Sequence, residues 1–437
     1  MNARLPPLDS SSSPDCAVVV DVARRVAAEG GRAVLVGGWV RDALLAALGR
    51  GRPSKDLDVE VFGVSLDTLR RILAVAGPVD EVGASFAVLR IKRVDVDFSL
   101  PRRDTKDGAG HRGFLVEADP SMSFADAARR RDFTINGLFF DPVENEIIDW
   151  VDGLPDIEAG LLRTIGDPDV RMAEDPVRIL RAIKFATRLG FRIHDDTWQA
   201  MCDASSELAR AAPPRVLEEI MRLCVSGTAL GAFRMMRACG ALAVLLPGVD
   251  AFIGRRDDPD PAAHDRADSY WRLLEALDAD VHAGREPSRA LCLAAMWLRV
   301  IEREADPETR SLPGQPGDLF DTVSEVLEPL VQDSRLPRRT FITTRRMIVD
   351  QARFQTRPGG DPRSLVFTTT DGFEEALNLY RLRSAAWGQG WDMYEAWTEA
   401  REEVASASPD ELAALRKRGR RRRSRRPRRR RRKPSAD

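Results

Sequence analysis

Apolar residues recur along this chain with two different periods, and the change from one to the other separates two kinds of region. Residues 15–30 carry helical spacing and predict a first helix. Ala33 to Val36 is a short apolar run that predicts a strand, leading through Gly37-Gly38 into a helical pattern from Val40 to Leu48. An alternating segment ends at Val61 and Phe62, a helix is expected near Ser65 to Ala76, and strands near Phe86 to Ile91 and Val94 to Ser99. Beyond Pro101 the chain turns polar and glycine-rich as far as Phe114, which predicts a mobile loop. A helix over Phe124 to Arg131, an apolar stretch Phe133 to Phe140 and a strand Glu146 to Trp150 complete a mixed region over residues 30–160.

From Asp175 onward the spacing is almost wholly helical. Val177, Leu180, Ile183, Phe185 and Leu189 fall on one helical repeat that Gly190 ends. Leu217 to Cys224, Ala229 to Cys239 and Ala241 to Leu246 predict short helices. Residues 254–266 and 304–317, rich in Asp, Pro and Gly, predict loops, and the rest to Leu415 reads as helix. The expected class is α+β, with a mixed sheet first and helical domains after it. The expected order is a leader over 1–14, a mixed head over 15–160, helical regions over 161–250 and 251–415, and a tail over 416–437.

Composition narrows the class. A chain of 437 residues calls for two or three domains, and 43% hydrophobic with 31% charged residues fits a soluble globular protein. No apolar run reaches the length of roughly 18 residues that a membrane helix needs. The Leu5–Pro14 stretch lacks a signal-peptide pattern and reads as a flexible leader. The five cysteines form no CxxC pair, which points to a reducing cytoplasm and away from a disulfide framework or zinc site. Charge is strongly segregated. From Arg416 to Lys433, 15 of 18 residues are basic; the 52 basic and 67 acidic residues before them leave a body of −15. A basic tail on an acidic body suggests a polyanionic partner, or a tail folded back on its own body. Arg420, Arg421, Arg422, Arg423, Arg428, Arg429 and Arg430 are the candidate RNA contacts.

Five groups of residues suggest chemistry. Asp56 and Asp58, in Lys55-Asp56-Leu57-Asp58, share one face of a strand, and paired carboxylates suit a hard cation such as Mg²⁺. Gly37-Gly38 ahead of a helix lets the backbone approach a phosphate, with Arg41 in the first turn to add charge. Asp95 and Asp97 form a second Asp-x-Asp, and one of them could supply the third carboxylate of a two-metal site. Arg129 to Asn136 sets several arginines beside Asp132 and Asn136, a set suited to triphosphate and sugar hydroxyls. Glu174-Asp175-Pro176-Val177-Arg178 makes a good helix start, and Arg178 and Arg181 share a helical face, offering with Asp175 donors and acceptors for a base edge.

Taken in order, LVGGWVRD (Leu35–Asp42), KDLD (Lys55–Asp58), RRDFTIN (Arg130–Asn136), DGLPDIEAGLLRTIGDP (Asp152–Pro168) and EDPVRILRAIKFATRLGF (Glu174–Phe191) resemble the class II nucleotidyltransferase superfamily. That superfamily includes bacterial poly(A) polymerases and CCA-adding tRNA nucleotidyltransferases. The resemblance spans about residues 30–250 and implies a nucleotidyltransferase-type head, then a helical neck, body and tail. It implies that Asp56, Asp58 and Asp97 bind Mg²⁺, with Asp132 a further catalytic carboxylate. Gly37, Gly38, Arg41, Arg131, Asn136, Asp175, Arg178 and Arg181 would line the nucleotide site. The family commonly has Glu where Asp97 aligns, so Asp95 competes for that position.

The branch rests on the chain beyond the head. Leu336 to Asp350, Gly372 to Arg383, Trp397 and the arginine tail look like bacterial poly(A) polymerases, which implies AMP addition from ATP to an RNA 3′ end with release of pyrophosphate. His111 to Asn136 is equally at home in tRNA nucleotidyltransferases, which use CTP and ATP. His111, His194, His264 and His282 are too scattered for the phosphohydrolase domain that accompanies some relatives. A non-catalytic RNA-binding protein is the remaining alternative.

Overall fold

A computed structural model describes residues 14–51, 54, 56–82, 88–106, 114–255, 258–308, 318–359 and 362–407. The leader to residue 13, Lys55, His111 and the arginine tail lie outside these residues. The chain forms two compact units, residues 1–212 with 238–241 and residues 213–237 with 242–437.

The first unit runs α1 (Pro14–Ala28), β1 (Arg32–Val36), α2 (Gly38–Ala47), β2 (Leu57–Phe62), α3 (Leu66–Ala76), β3 (Val79–Val82), β4 (Val88–Ile91), β5 (Val96–Ser99), β6 (Arg102–Lys106) and β7 (Phe114–Ala118). It continues through α4 (Phe124–Arg129), a 3₁₀ turn at Thr134–Asn136, β8 (Phe139–Asp141), β9 (Glu146–Ile148), α5 (Gly153–Ala159), β10 (Leu161–Leu162), α6 (Pro168–Glu174), α7 (Arg178–Leu189), β11 (Arg192–Ile193) and α8 (Asp195–Asp203). Seven strands form one sheet in the order β3-β4-β5-β2-β1-β8-β9. Among the described residues of this sheet, β2 and β5 pair in parallel and the other neighbours are antiparallel. On one face Val34, Val36, Phe62 and Phe139 bury against Ala127 and Ala128 of α4. Phe62 packs edge-on to Phe139 with ring centroids 6.1 Å apart. Each such fully buried aromatic contributes on the order of 1.5–3 kcal/mol. α3 starts where Ser65 accepts the Thr68 amide at 3.2 Å, and it buries Leu69, Ile72 and Leu73.

The mixed architecture matches expectation, with local differences. The segment expected as a loop after Pro101 contains β6, which pairs antiparallel with β7, at the end of that segment, from Arg102↔Ala118 to Lys106↔Phe114. They pair with each other rather than with the main sheet, and the sequence Arg102–Lys106 has no apolar alternation to mark it as a strand. β3 is a short polar edge strand that the pattern does not predict. The strand expected to reach Trp150 ends at Ile148.

The second unit is helical: α9 (Pro213–Val225), α10 (Ala229–Ala238), α11 (Ala241–Leu245), α12 (Pro247–Ile253), α13 (Pro261–His282), α14 (Arg289–Ala305), α15 (Leu319–Ser334), α16 (Arg338–Phe354), α17 (Pro362–Thr368), α18 (Phe373–Trp387) and α19 (Trp391–Ser406). α14 is buried on nearly all sides. Phe354, Phe367, Phe373, Tyr380 and Trp397 form an aromatic core. α13 begins inside a stretch expected as loop, because Asp260 accepts the Ala262 amide at 3.0 Å and Pro261 takes the first helical position. Asp280 is buried and neutralised by Arg381 and by Arg285 at 2.9 Å. Among the described residues no helix is long and apolar enough to cross a membrane, and all five thiols are free.

Candidate active site

The start of β2, a central strand, brings the first carboxylates to one end of the sheet. Asp56 is exposed just ahead of the strand, its amide donating to Ser54 Oγ at 3.2 Å, and Asp58 is the strand's second residue. The parallel pairing with β5 sets Asp58 directly beside Asp97. Asp95 lies outside β5 and is exposed, so the sheet register places Asp97, not Asp95, in the row. Burial pushes the Asp58 carboxyl above its ordinary value, and repulsion from Asp97 and Asp56 adds to this, against the pull of Arg131 and Arg90. Asp58 is nonetheless exposed as a residue; the surrounding protein thins its water without covering it.

Arg90 on β4 continues the row. It faces Asp97 across the antiparallel pairing and donates to it at 2.6 Å. As they stand, no three His, Cys, Asp or Glu among the described residues converge as a metal-ligand set. Asp97 points to Arg90. The donor chemistry of Asp56, Asp58 and Asp97 is nevertheless all oxygen, which suits a hard divalent cation.

Beside this row lies the turn from β1 into α2. Gly37 has φ +68 and ψ −128, a backbone conformation open essentially to glycine, and no side chain caps the helix behind it. The first amides of α2 are left for an incoming acceptor. A Cβ placed on Gly37 would lie 3.5 Å from Arg131 Nη1, so that guanidinium borders the turn. Arg131 donates to buried Glu60 at 3.1 Å and lies over the Phe139 ring at 5.5 Å. Its backbone is held as well, because Arg171 Nη2 donates to the carbonyls of Arg130 and Arg131 at 2.9 and 2.7 Å.

The remaining motif residues form a buried polar chain. Arg41, expected at a phosphate, is buried instead, donating to Asp42 at 2.8 Å and to Asn136 Oδ1 at 2.7 Å. Burial lowers its pKa, with Asp42 opposing that shift. Asn136 donates to Asp132 Oδ1 at 3.0 Å, and Arg181 of α7 donates to Asp132 Oδ2 at 2.8 Å. Burial pushes the Asp132 carboxyl up, but Arg181, Asn136 and the Phe133 amide outweigh it and hold the group below its ordinary range. Phe185 receives Arg41 and Arg181 at 5.1 and 5.7 Å from its centroid.

The helix start expected at Pro176 lies two residues later. α7 begins at Arg178, and Asp175 is an extended residue that ends α6 and accepts the Val177 amide at 3.3 Å. Arg178 donates to the Arg171 carbonyl at 2.6 Å and to Glu174 at 3.2 Å. Glu60, Arg90, Arg171 and Phe185 are contributors that the motifs alone do not single out. Glu60 is within reach of sequence reasoning, since it lies two residues beyond Asp58 on the same strand face.

A sheet that sets carboxylates beside a glycine turn at a helix start has the layout of a nucleotidyltransferase-type head. Residues 33–163 match the family described as the poly A polymerase head domain. Residues 190–253 match the probable RNA and SrmB-binding site of polymerase A, and residues 316–433 the polymerase A arginine-rich C-terminus. The multifunctional CCA protein of Pseudomonas aeruginosa (strain LESB58) is 37% identical over 303 residues, 66% of this chain and 68% of that protein. That of Xanthomonas campestris pv. campestris (strain B100) is 37% identical over 225 residues, 50% of this chain and 52% of that protein, so the chain spans about half the length of such relatives. A crystal structure of the Bacillus stearothermophilus CCA-adding enzyme in complex with CTP shares the fold, with a TM-score of 0.65 at 21% identity over 90% of this chain and 83% of that one. The chain belongs to the class II nucleotidyltransferase superfamily, the group of poly(A) polymerases and CCA-adding enzymes.

Proposed function

We propose that this chain adds nucleotides, without a template, to the 3′ end of an RNA, with CTP and ATP as donors and a tRNA acceptor end as the substrate. The observation that carries the reading is the register of Asp58 against Asp97 beside the Gly37 turn. The family membership supports it, and the CCA-adding relatives favour tRNA. Asp56, Asp58 and Asp97 would hold Mg²⁺. Bound there, the ion would neutralise the phosphates and favour deprotonation of the attacking hydroxyl.

The chain's own groups do the rest. The α2 amides and Arg131 bind and orient the triphosphate, at the turn where Gly37 and Gly38 admit it closely. Asp175 and Arg178 present an acceptor and donors to the base edge. Asp132, Asn136, Arg41 and Arg181 tie α2, the 3₁₀ turn and α7 into one positioning frame. The RNA 3′ oxygen forms a bond to the α-phosphorus, the bond from that phosphorus to the bridging oxygen breaks, and pyrophosphate leaves with the electron pair.

A second reading, AMP addition alone to RNA 3′ ends, is favoured by the match of residues 316–433 to the arginine-rich C-terminal family. One experiment separates the two. Purified protein with Mg²⁺ is given a tRNA lacking its 3′ CCA, or an unrelated RNA, each with ATP alone and with CTP plus ATP. Three nucleotides added to the tRNA only when CTP and ATP are both present support the first reading. Long extension of both RNAs by ATP alone supports the second. No incorporation under any condition refutes both.

A further inference from the structure

We propose that Glu60 is a positioning residue that holds the Arg131 guanidinium at the phosphate turn and away from the metal-binding carboxylates. The inference rests on the nucleotidyltransferase reading above and deepens it.

The placement follows from strand period. Glu60 lies two residues after Asp58 on β2, so both carboxylates face the same side of the sheet. Yet they sit in different surroundings. Asp58 is exposed, whereas Glu60 is only 8% exposed. A buried carboxylate is costly without a partner, and Glu60 has Arg131 at 3.1 Å. Arg131 therefore stands among three claims on its charge. Glu60 binds it directly, the Gly37 turn lies against its Nη1, and its charge already acts on Asp58.

Glu60 decides among those claims. Arg131 is held at its backbone by Arg171 and at its guanidinium by Phe139 and Glu60. Arg171 and Phe139 fix where the side chain starts and the plane it lies in. Of these three, Glu60 supplies the charge that competes with Asp58. Without that charge the guanidinium turns to the next carboxylates in reach, Asp58 and through it the row with Asp97. An arginine there would compete with a divalent cation for the same oxygens. It would also leave the Gly37 turn without its neighbouring cation.

The test is binding, independent of RNA. Mn²⁺ affinity is measured by electron paramagnetic resonance, and ATP and CTP affinity by equilibrium dialysis, for the full chain, Glu60→Gln, Arg131→Gln and the double variant. Gln keeps the shape of Glu60 and an acceptor for Arg131, and circular dichroism with thermal melting checks that each variant is folded. Glu60→Gln is expected to weaken both Mn²⁺ and nucleotide binding by about tenfold, the scale of one charge-assisted hydrogen bond. In the double variant Mn²⁺ affinity returns to the wild-type value, while nucleotide affinity stays low because Arg131 is gone. That opposite response is one that general damage to the fold does not produce. Wild-type Mn²⁺ affinity in Glu60→Gln, or a loss that persists in the double variant, overturns the assignment of Glu60 alone. A wild-type chain that binds neither Mn²⁺ nor nucleotide overturns the nucleotidyltransferase reading itself, and this inference with it.

Discussion

At the scale of single residues, the site separates exposed carboxylates from buried groups that hold one another in place. Asp58 and Asp56 keep exposure to water, as the proposed role of cation ligand requires. Asp132 does not: its side chain is 10% exposed and both its oxygens are engaged, one by Asn136 and one by Arg181. Its character is therefore that of a strut, and its effect on stability has a definite pH signature. Its folded pKa lies below the ordinary carboxylate value of about 3.9. The unfolded chain then takes up the proton first as pH falls, so the stabilisation is fully present above that value and is lost as pH drops through the folded pKa. Asp132→Asn is expected to cost about 1–3 kcal/mol near neutrality, less than a fully buried pair because Arg181 is a third exposed. It should also flatten the acid limb of stability against pH below about 4. Urea unfolding of both proteins from roughly pH 3 to 7, spanning the carboxylate range, measures this. Parallel curves over that range would show that the Asp132 pairing carries no such linkage.

At the scale of elements, the parts legible in the sequence are those whose neighbours in the chain determine them. β1, α2, β2 and α3 lie close to where the hydrophobic period predicts them, and Ser65, where the last of these patterns begins, caps α3. β6 reads as a loop in the sequence because its partner is β7, outside the main sheet. The site shows the same division. Asp56, Asp58 and the Gly37 turn are local patterns, whereas Arg90 joins the row only through the β4–β5 register, which no local spacing reveals. Arg41 shows what local position leaves out: its place in a first helical turn suggests phosphate, and the structure pairs it with the Asn136 carbonyl and Asp42. Of the two glycines at the turn, only Gly37 needs to be glycine for its backbone. Gly37→Ala should cost about 1–3 kcal/mol and weaken nucleotide binding. Gly38→Ala meets only Arg41 Nη2 at 3.6 Å, an ordinary contact, and sits at the start of a helix that favours alanine. Its stability should stay level or rise by up to about 1 kcal/mol. Chemical denaturation of the two variants decides it; equal losses would mean that the turn's backbone conformation is not what calls for glycine.

At the scale of the whole molecule, the charge distribution poses the largest physical question. Residues 1–415 carry −15 and residues 416–433 carry +15, so an RNA approaching the body meets net repulsion that the tail can offset. Those tail residues lie outside the described part of the structure. Arginine offers paired donors to phosphate, and each phosphate neutralised on a single strand steepens the logarithmic salt dependence by roughly 0.7. Engagement of even half of the 15 tail charges would thus dominate the salt response of RNA binding. Deleting residues 416–437 should raise KM for RNA and flatten the slope of log Kd against log salt, with kcat at saturating RNA little changed, since the carboxylate row and the Gly37 turn lie elsewhere in the chain. Nucleotide KM should also hold, which separates a tethering role from any role in the site. If the product is a poly(A) tract, the truncated protein should make shorter extensions, because it dissociates sooner between additions. Fluorescence anisotropy with a labelled RNA from about 50 to 300 mM KCl measures the slope directly. Equal slopes for the full and truncated chains would mean that the arginines do not meet RNA. Their charge would then serve to neutralise the acidic body, and truncation would lower solubility or melting temperature instead, because the body's self-repulsion would go uncompensated.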